Sequence, residues 1–145
     1  WRKIQVYIII MKPRGPSLSG LSLYPEVMIM NVLLVAPMEP PRRVEIVNSL
    51  ESMQAVVGGL IQAVYPFDEP VALVCNDEGK LLGLPLNRCL RLEDSGAIYD
   101  VIAGTFFLCA APPDSDRFAS LTEEQIARYA ERFHAIELFP EVRHG

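Results

Sequence analysis

Apolar and polar residues along the chain form short blocks separated by turn residues, a pattern typical of strands joined by tight connections. The blocks with strand length and strand pattern cover residues 31–36, 42–46, 60–65, 71–75, 98–103 and 105–110. The last of them, Thr105 to Ala110, is apolar at nearly every position, so we expect it to be buried on both faces of a sheet.

Two further blocks have helical periodicity. The first covers residues 50–57, behind an Asn48–Glu51 pair spaced as in a capping box, and ends at Gly58–Gly59. The second begins at a Thr122–Gln125 capping box and is predicted to reach about His134. We expect residues 81–95 between these blocks to be an irregular loop with one helical turn.

These elements predict an α+β fold rather than a strict βαβ series. The expected architecture is a mixed or antiparallel sheet of about five strands with two helices, the helices forming a single layer on one face. One domain is the default at 145 residues, of which half are apolar.

Charge divides the chain unevenly. Residues 1–29 carry a net charge of +3 and the remainder carries −8, which together give the −5 of the whole chain. An acidic body disfavours contact with phosphate backbones, because such affinity comes mainly from Lys and Arg. Direct nucleic-acid binding is therefore not expected.

The first 29 residues differ from the rest in pattern as well as in charge. They join a short apolar run to a Pro/Gly/Ser stretch without sustained periodicity. Residues 25–30 could be encoded by a purine-rich sequence resembling a bacterial ribosome-binding site, which would make Met30 the natural start. We interpret residues 1–29 as a leader or disordered extension, residues 30–142 as the domain and residues 143–145 as a tail.

The cysteines indicate the cellular compartment. Cys75, Cys89 and Cys109 stand far apart beside apolar neighbours, without the paired spacing of a metal site. We expect buried free thiols in a reducing environment, and no metal. No apolar stretch has the length of a membrane span, so a cytoplasmic protein is expected.

Known catalytic patterns are not visible in the sequence. The histidines are His134, at the end of a predicted helix, and His144, in the tail, and neither phosphate-loop glycine pattern occurs. Adjacent carboxylates fall in predicted turns, where solvated surface is the simpler interpretation. We predict neither catalytic residues nor a cofactor.

The segment from Gly83 to Arg88 is the first candidate for a ligand site. Its Gly and Pro indicate an irregular backbone, and Asn87 and Arg88 offer amide and guanidinium groups suited to a planar or anionic partner. The structural alternative is that both side chains bind only their own backbone.

Asp100 and Tyr65 complete the predicted ligand-binding set with Asn87 and Arg88. Asp100 precedes an apolar strand and, if partly buried, needs a partner such as Arg88 or Arg91. A structural ion pair is the alternative to a site at this position.

Three segments give the chain a likeness to a known family. The run VGGLIQAVYPFDEPVALVCNDEGKLLGLPLNR, the run IYDVIAGTFFLCA and the closing SLTEEQIARYAERF resemble domain-of-unknown-function family 3846. The likeness spans about residues 30–133. It implies the company of phages, conjugative elements and gut bacteria, and a cytoplasmic location, but no activity or catalytic residues.

Three functional hypotheses follow. The first is a non-enzymatic accessory protein of a phage or mobile element that binds a host protein or small ligand, with counter-defence as a narrower version because acidic proteins can cover basic surfaces. The second is a small enzyme or nucleotide-sequestering domain with a site at the GLPLNR loop. The third is a structural or interaction module, for example a homodimer through an exposed sheet edge.

Overall fold

The computed structural model describes residues 28–139 and, for its backbone alone, the short strand Val6–Tyr7. Most of the predicted leader over residues 1–29 and the whole predicted tail over residues 143–145 lie outside the described residues.

The elements follow the expected order, with two additional strands, a two-residue strand near the start of the chain and one in its middle. Their bounds are β1 Val6–Tyr7, β2 Ile29–Val35, β3 Arg42–Val47, α1 Leu50–Val57, β4 Ile61–Val64, β5 Val71–Asn76, β6 Leu86–Arg91, β7 Ile98–Ala103, β8 Phe106–Ala110 and α2 Glu123–Arg132.

The main sheet is antiparallel throughout, in the strand order β1-β4-β5-β8-β2-β3. It consists of five longer strands and the two-residue β1 at one edge. Leu108 on β8 is paired with Leu33 on one side and Leu73 on the other, which places β8 at the centre. Strands β6 and β7 form a separate antiparallel hairpin. The predicted α+β class with an antiparallel sheet is confirmed.

Strand β8 shows why this sheet has a core on both sides. Phe106 and Leu108 point to one face and Phe107 and Cys109 to the other, and all four are fully buried. We call the first face the hairpin face, since the β6–β7 hairpin and α2 cover it. The second is the α1 face, since α1 covers it.

The two helices therefore pack on opposite faces, and the prediction of a single helical layer on one face was wrong. Met53 and Val57 of α1 join the cluster around Phe107, whereas Ile126 and Tyr129 of α2 join the cluster around Phe106. The physical reason is that a sheet buried on both faces needs cover on both, and periodicity within a helix does not indicate which face it will cover.

The predicted loop over residues 81–95 was also wrong, because β6 occupies its centre. Asn87 and Arg88 are buried within this strand, so the usual alternation of apolar and polar positions is lost there. Because of these buried polar residues, the sequence of β6 resembles that of a loop.

The helix caps differ in how well their spacing predicted them. The Thr122–Gln125 capping box is present in full. The Asn48–Glu51 box was wrong: Ser49 is the N-cap of α1, and the Asn48 side chain donates to the carbonyl of Phe118 instead. Gly58 ends α1 in the left-handed conformation, at φ 81°, as expected.

Other expectations concern thiols and membrane spans. Cys75, Cys89 and Cys109 are free and buried, as predicted. None of the helices within the described residues combines the length and apolar character needed to cross a bilayer.

Candidate functional site

Asn87 fixes the hairpin onto the main sheet. Its side chain is fully buried, and its amide nitrogen donates to the carbonyls of Val35, at 2.8 Å, and Gly104, at 2.9 Å. A buried amide needs such partners, because an unsatisfied one costs about 1–3 kcal/mol. The predicted ligand-binding amide is therefore engaged in joining β6 to the end of β2 and to the turn after β7.

Arg88 is almost as deeply buried, at 1% exposure. Its Nε donates to the Phe133 carbonyl at 3.1 Å, its Nη2 to the Glu39 carbonyl at 2.7 Å, and its Nη1 to Asn87 Oδ1 at 2.8 Å. Burial lowers the pKa of Arg88, whereas the charge of Glu137 raises it. The guanidinium is thus a buried cation that connects the β2–β3 turn, the hairpin and the end of α2.

The β2–β3 turn has a backbone suited to this contact. Met38 has φ 65°, a conformation that residues other than glycine rarely adopt. The next residue, Glu39, presents its carbonyl to Arg88. The left-handed turn residue thus lies directly beside the carbonyl that binds the buried cation.

A cleft of about 270 Å³ opens between β6, the end of α2 and the residues that follow α2. We call it the basic cleft, because its walls include Arg88, Arg91 and Arg132 as well as Glu137. Arg132 is paired with Glu93 at 3.0 Å and lies over the Phe67 ring at 5.0 Å. A positive cleft in an acidic domain favours an anionic occupant.

The carboxylate of Glu137 lies in the basic cleft. Its Oε2 accepts from the backbone N–H of Cys89 at 2.7 Å, and its Oε1 accepts from Arg91 Nη2 at 2.7 Å. Burial raises the pKa of Glu137, but the hydrogen bonds from Arg91 and Cys89 outweigh burial, and the pKa is lowered overall. The cleft therefore stabilises a charged carboxylate.

The thiols show no activation. Burial, and next the contact with Glu137, raise the pKa of Cys89, and burial raises the pKa of Cys75 to about 12. Burial also raises the pKa of Cys109. A nucleophilic cysteine needs a lowered pKa, so these thiols resemble structural ones.

The structure does not bring the predicted set of four residues together. Asn87 and Arg88 are hydrogen-bonded to each other, but Asp100 lines a separate cavity of about 120 Å³ and Tyr65 packs against the α1-face cluster. The predicted pairing of Asp100 with an arginine was wrong: its carboxylate lies 2.6 Å from Lys80 Nζ. Lys80 precedes β6 by a short turn, which sequence spacing alone did not reveal.

Sequence reasoning missed several members of the basic cleft. Arg132 was part of a helix whose polar face was not considered, and Glu137 follows that helix in a segment without periodicity. The available signal was the spacing of Arg88 and Arg91 in a domain otherwise poor in positive charge. Among the described residues, no group of three or more His, Cys, Asp or Glu side chains is arranged to hold a metal ion.

One acidic residue positions α2, and with it one wall of the cleft. Glu69, in the β4–β5 connection, accepts hydrogen bonds from Tyr129 and from Arg128, the latter at 2.6 Å, and also from Gln125 at 3.4 Å. The bond from Tyr129 is the largest influence on Glu69 and lowers its pKa against the opposing effect of burial.

The fold and the cleft define a small α+β domain in which a cleft lined by arginines holds the carboxylate of Glu137. The chain belongs to the family described as Domain of unknown function (DUF3846), which it matches over residues 30–134. No curated protein and no solved structure matches the chain. Arg88, Arg91 and Arg132 lie within the matched residues, whereas Glu137 lies beyond them.

Proposed function

We propose that this domain is a non-enzymatic binding protein that receives a carboxylate group of a host protein or small ligand in the basic cleft. An accessory role in a phage or mobile element belongs to this proposal through the family resemblance.

One observation supports the proposal above all others. A carboxylate, that of Glu137, already lies in the cleft between a backbone N–H and a guanidinium, each at 2.7 Å. Charge-assisted hydrogen bonds of this kind are about twice as strong as neutral ones. The position of the chain's own Glu137 side chain supports a carboxylate as the group that the cleft accepts.

The buried Arg88 explains why the cleft prefers an anion. Its donors are committed to carbonyls and an amide, which carry no net charge. The carboxylate of Glu137, in the cleft, therefore balances the charge of Arg88 and raises the pKa of Arg88. Arg88 acts as a fixed charge behind the cleft, and Arg91, with its side chain 46% exposed, acts as the contacting donor.

The hypothesis of a nucleotide-sequestering domain or enzyme at the GLPLNR loop has less support. Asn87 and Arg88 are engaged with the protein itself, and Asp100 and Tyr65 lie elsewhere.

The test uses the variant Glu137→Ala, which empties the cleft of its own carboxylate. The probes are N-acetylglutamate N-methylamide and the corresponding glutamine compound, titrated into ¹⁵N-labelled protein. We expect the glutamate compound to shift the amide resonances of Cys89 and Arg91, and the glutamine compound to leave them unchanged.

Two further variants serve as controls in the Glu137→Ala background. Arg91→Met removes the contacting donor and should abolish the shifts. Arg117→Met makes the same change of charge at an exposed residue outside the cleft and should preserve them. Equal responses to the two compounds, or no response of Cys89, would contradict the proposal.

A further inference from the structure

The segment that supplies Glu137 is otherwise barely attached to the domain. Residues 134–136 and Leu138 are exposed, with Ile136 at 41% and Leu138 at 77%, whereas the Glu137 side chain is only 18% exposed. The Glu137 carboxylate accepts two hydrogen bonds from the hairpin, one from the Cys89 N–H and one from Arg91. This carboxylate anchors the segment in the cleft.

The segment runs beside the free edge of β6. Cys89 is paired across the hairpin with Val101 on β7, and its N–H points away from β7 to Glu137. An outward N–H on a strand edge is the group that an added extended peptide uses. The residues on either side of Glu137 are apolar, and Leu138 at 77% exposure and Ile136 at 41% are only partly covered, so this segment occupies the site without fully burying its apolar side chains.

We infer that residues 134–139 are an intramolecular occupant of the basic cleft, and that the external ligand is an extended peptide of a partner protein which places a Glu between apolar residues and displaces Glu137. This inference rests on the proposed function and adds both the ligand class and its competitor.

The family match includes the arginines of the cleft but not Glu137. It includes the arginines of the cleft and ends at residue 134, before the segment that reaches Glu137. The arginines of the cleft therefore lie within the family domain, whereas Ala135 and Glu137 line it from the residues that follow the match.

The experiment measures binding of a fluorescent peptide with the sequence of residues 134–139, HAIELF, acetylated and amidated at its ends. Wild-type protein is compared with Glu137→Gln, which removes the charge of the internal occupant with little change of shape. If the internal segment occupies the cleft nine-tenths of the time, wild type binds about tenfold more weakly than the variant. Glu131→Gln, on exposed α2 surface outside the cleft, is the matched control and should bind like wild type.

Alkylation of Cys89, mapped by mass spectrometry, gives a second reading on the same proteins. Cys89 lines the cleft, whereas Cys75 and Cys109 lie in the core clusters. We expect Glu137→Gln to react faster at Cys89 alone. Faster reaction at all three would reveal unfolding, and the comparison would then be repeated with Glu137→Asp, whose shorter side chain weakens the contact and is expected to strengthen peptide binding.

The outcomes separate the inference from the proposed function. Equal binding of HAIELF to wild type and Glu137→Gln would overturn the competition and leave a carboxylate receptor standing. Equal binding of HAIELF and its glutamine counterpart HAIQLF would overturn the ligand class. Absence of binding in every variant, with no response to N-acetylglutamate N-methylamide, would overturn both the inference and the proposed function.

A concentration-dependent dimer of wild type that Glu137→Gln lacks would show that the segment comes from a second copy, which also overturns the intramolecular arrangement.

Discussion

The two faces of the main sheet are built from the same strands but differ in what they bury. The α1 face is lined mainly by apolar side chains such as Met53 and Phe107, and its buried polar side chain, Asn76, donates to the Val57 carbonyl at the end of α1. The hairpin face has an apolar layer of its own, but behind that layer it buries Asn87 and Arg88, and at its edge it places the Glu69–Tyr129 contact. Since an apolar core needs no partners while buried polar groups do, the hairpin face is the more specific in geometry and holds the candidate site.

The largest expected effect tests whether the faces are equal in stability and unequal in function. Phe106 and Phe107 are neighbours on β8, fully buried on opposite faces, and each replaced by Ala should lower the free energy of unfolding by about 3–5 kcal/mol. Only Phe106 contacts the ring of Phe133, at 5.6 Å between centroids, and the Phe133 carbonyl binds Arg88. Urea unfolding measures whether the two variants lose similar free energies of unfolding.

Alkylation of Cys89 under native conditions tests whether the two faces differ in their effect on the cleft. It should accelerate in Phe106→Ala and not in Phe107→Ala. Equal acceleration in both would show that the cleft responds to general loosening rather than to its own face.

Arg88→Met tests the polar side of the comparison. The substitution roughly preserves volume but leaves the buried acceptors at Phe133 and Asn87 without their donor, so we expect a loss of about 2–6 kcal/mol at about 1–3 kcal/mol for each unsatisfied group. Arg91→Met, on the same strand but 46% exposed at its side chain, should cost about 0–1 kcal/mol. Thermal and urea unfolding of both variants provide the comparison, and similar losses would refute the special status of Arg88.

Tyr129→Phe tests the contact that holds α2 on the hairpin face. Removal of a hydrogen bond to a charged group should cost about 2 kcal/mol at neutral pH. The folded pKa of Glu69 is lowered from 4.5, so the stabilisation is present above that value and is lost as the pH falls through the lowered folded pKa. Wild type and variant should therefore converge in stability as the pH is lowered below 4.5.

Urea unfolding over that pH series measures the convergence, with Glu69→Gln and the double variant completing a cycle. A difference between wild type and Tyr129→Phe that is constant with pH would mean that the loss comes from packing rather than from the carboxylate.

The smallest expected effect concerns the turn that meets Arg88. Met38→Gly should raise stability by about 0.5–1 kcal/mol, because the relief of a left-handed residue, about 1–2 kcal/mol, exceeds the entropy cost of glycine, about 0.5–1 kcal/mol. The reverse change at Gly58, to Ala at φ 81° with open space around it, should cost about 1 kcal/mol. Differential scanning calorimetry measures both, and a destabilised Met38→Gly would show that the Met38 side chain has a role of its own.

Local signals in the sequence predicted much of the fold and little of the site. The Thr122–Gln125 box and the doubly buried β8 follow from spacing and composition, and both are confirmed. Strand β6 was missed because its buried polar residues imitate a loop, and the placement of the helices was missed because it depends on contacts distant in sequence. The basic cleft joins β6 to residues more than 40 positions later, as in the contact of Cys89 with Glu137, which no local pattern reports.

The way Arg88 is held has a consequence for how the family can diversify. Two of its partners, at Glu39 and Phe133, are carbonyl oxygens, which every amino acid possesses. Side chains around the cleft can therefore be exchanged by mutation while the frame that fixes the buried charge persists. A buried charge held by backbone carbonyls therefore tolerates substitution at the positions that hold it.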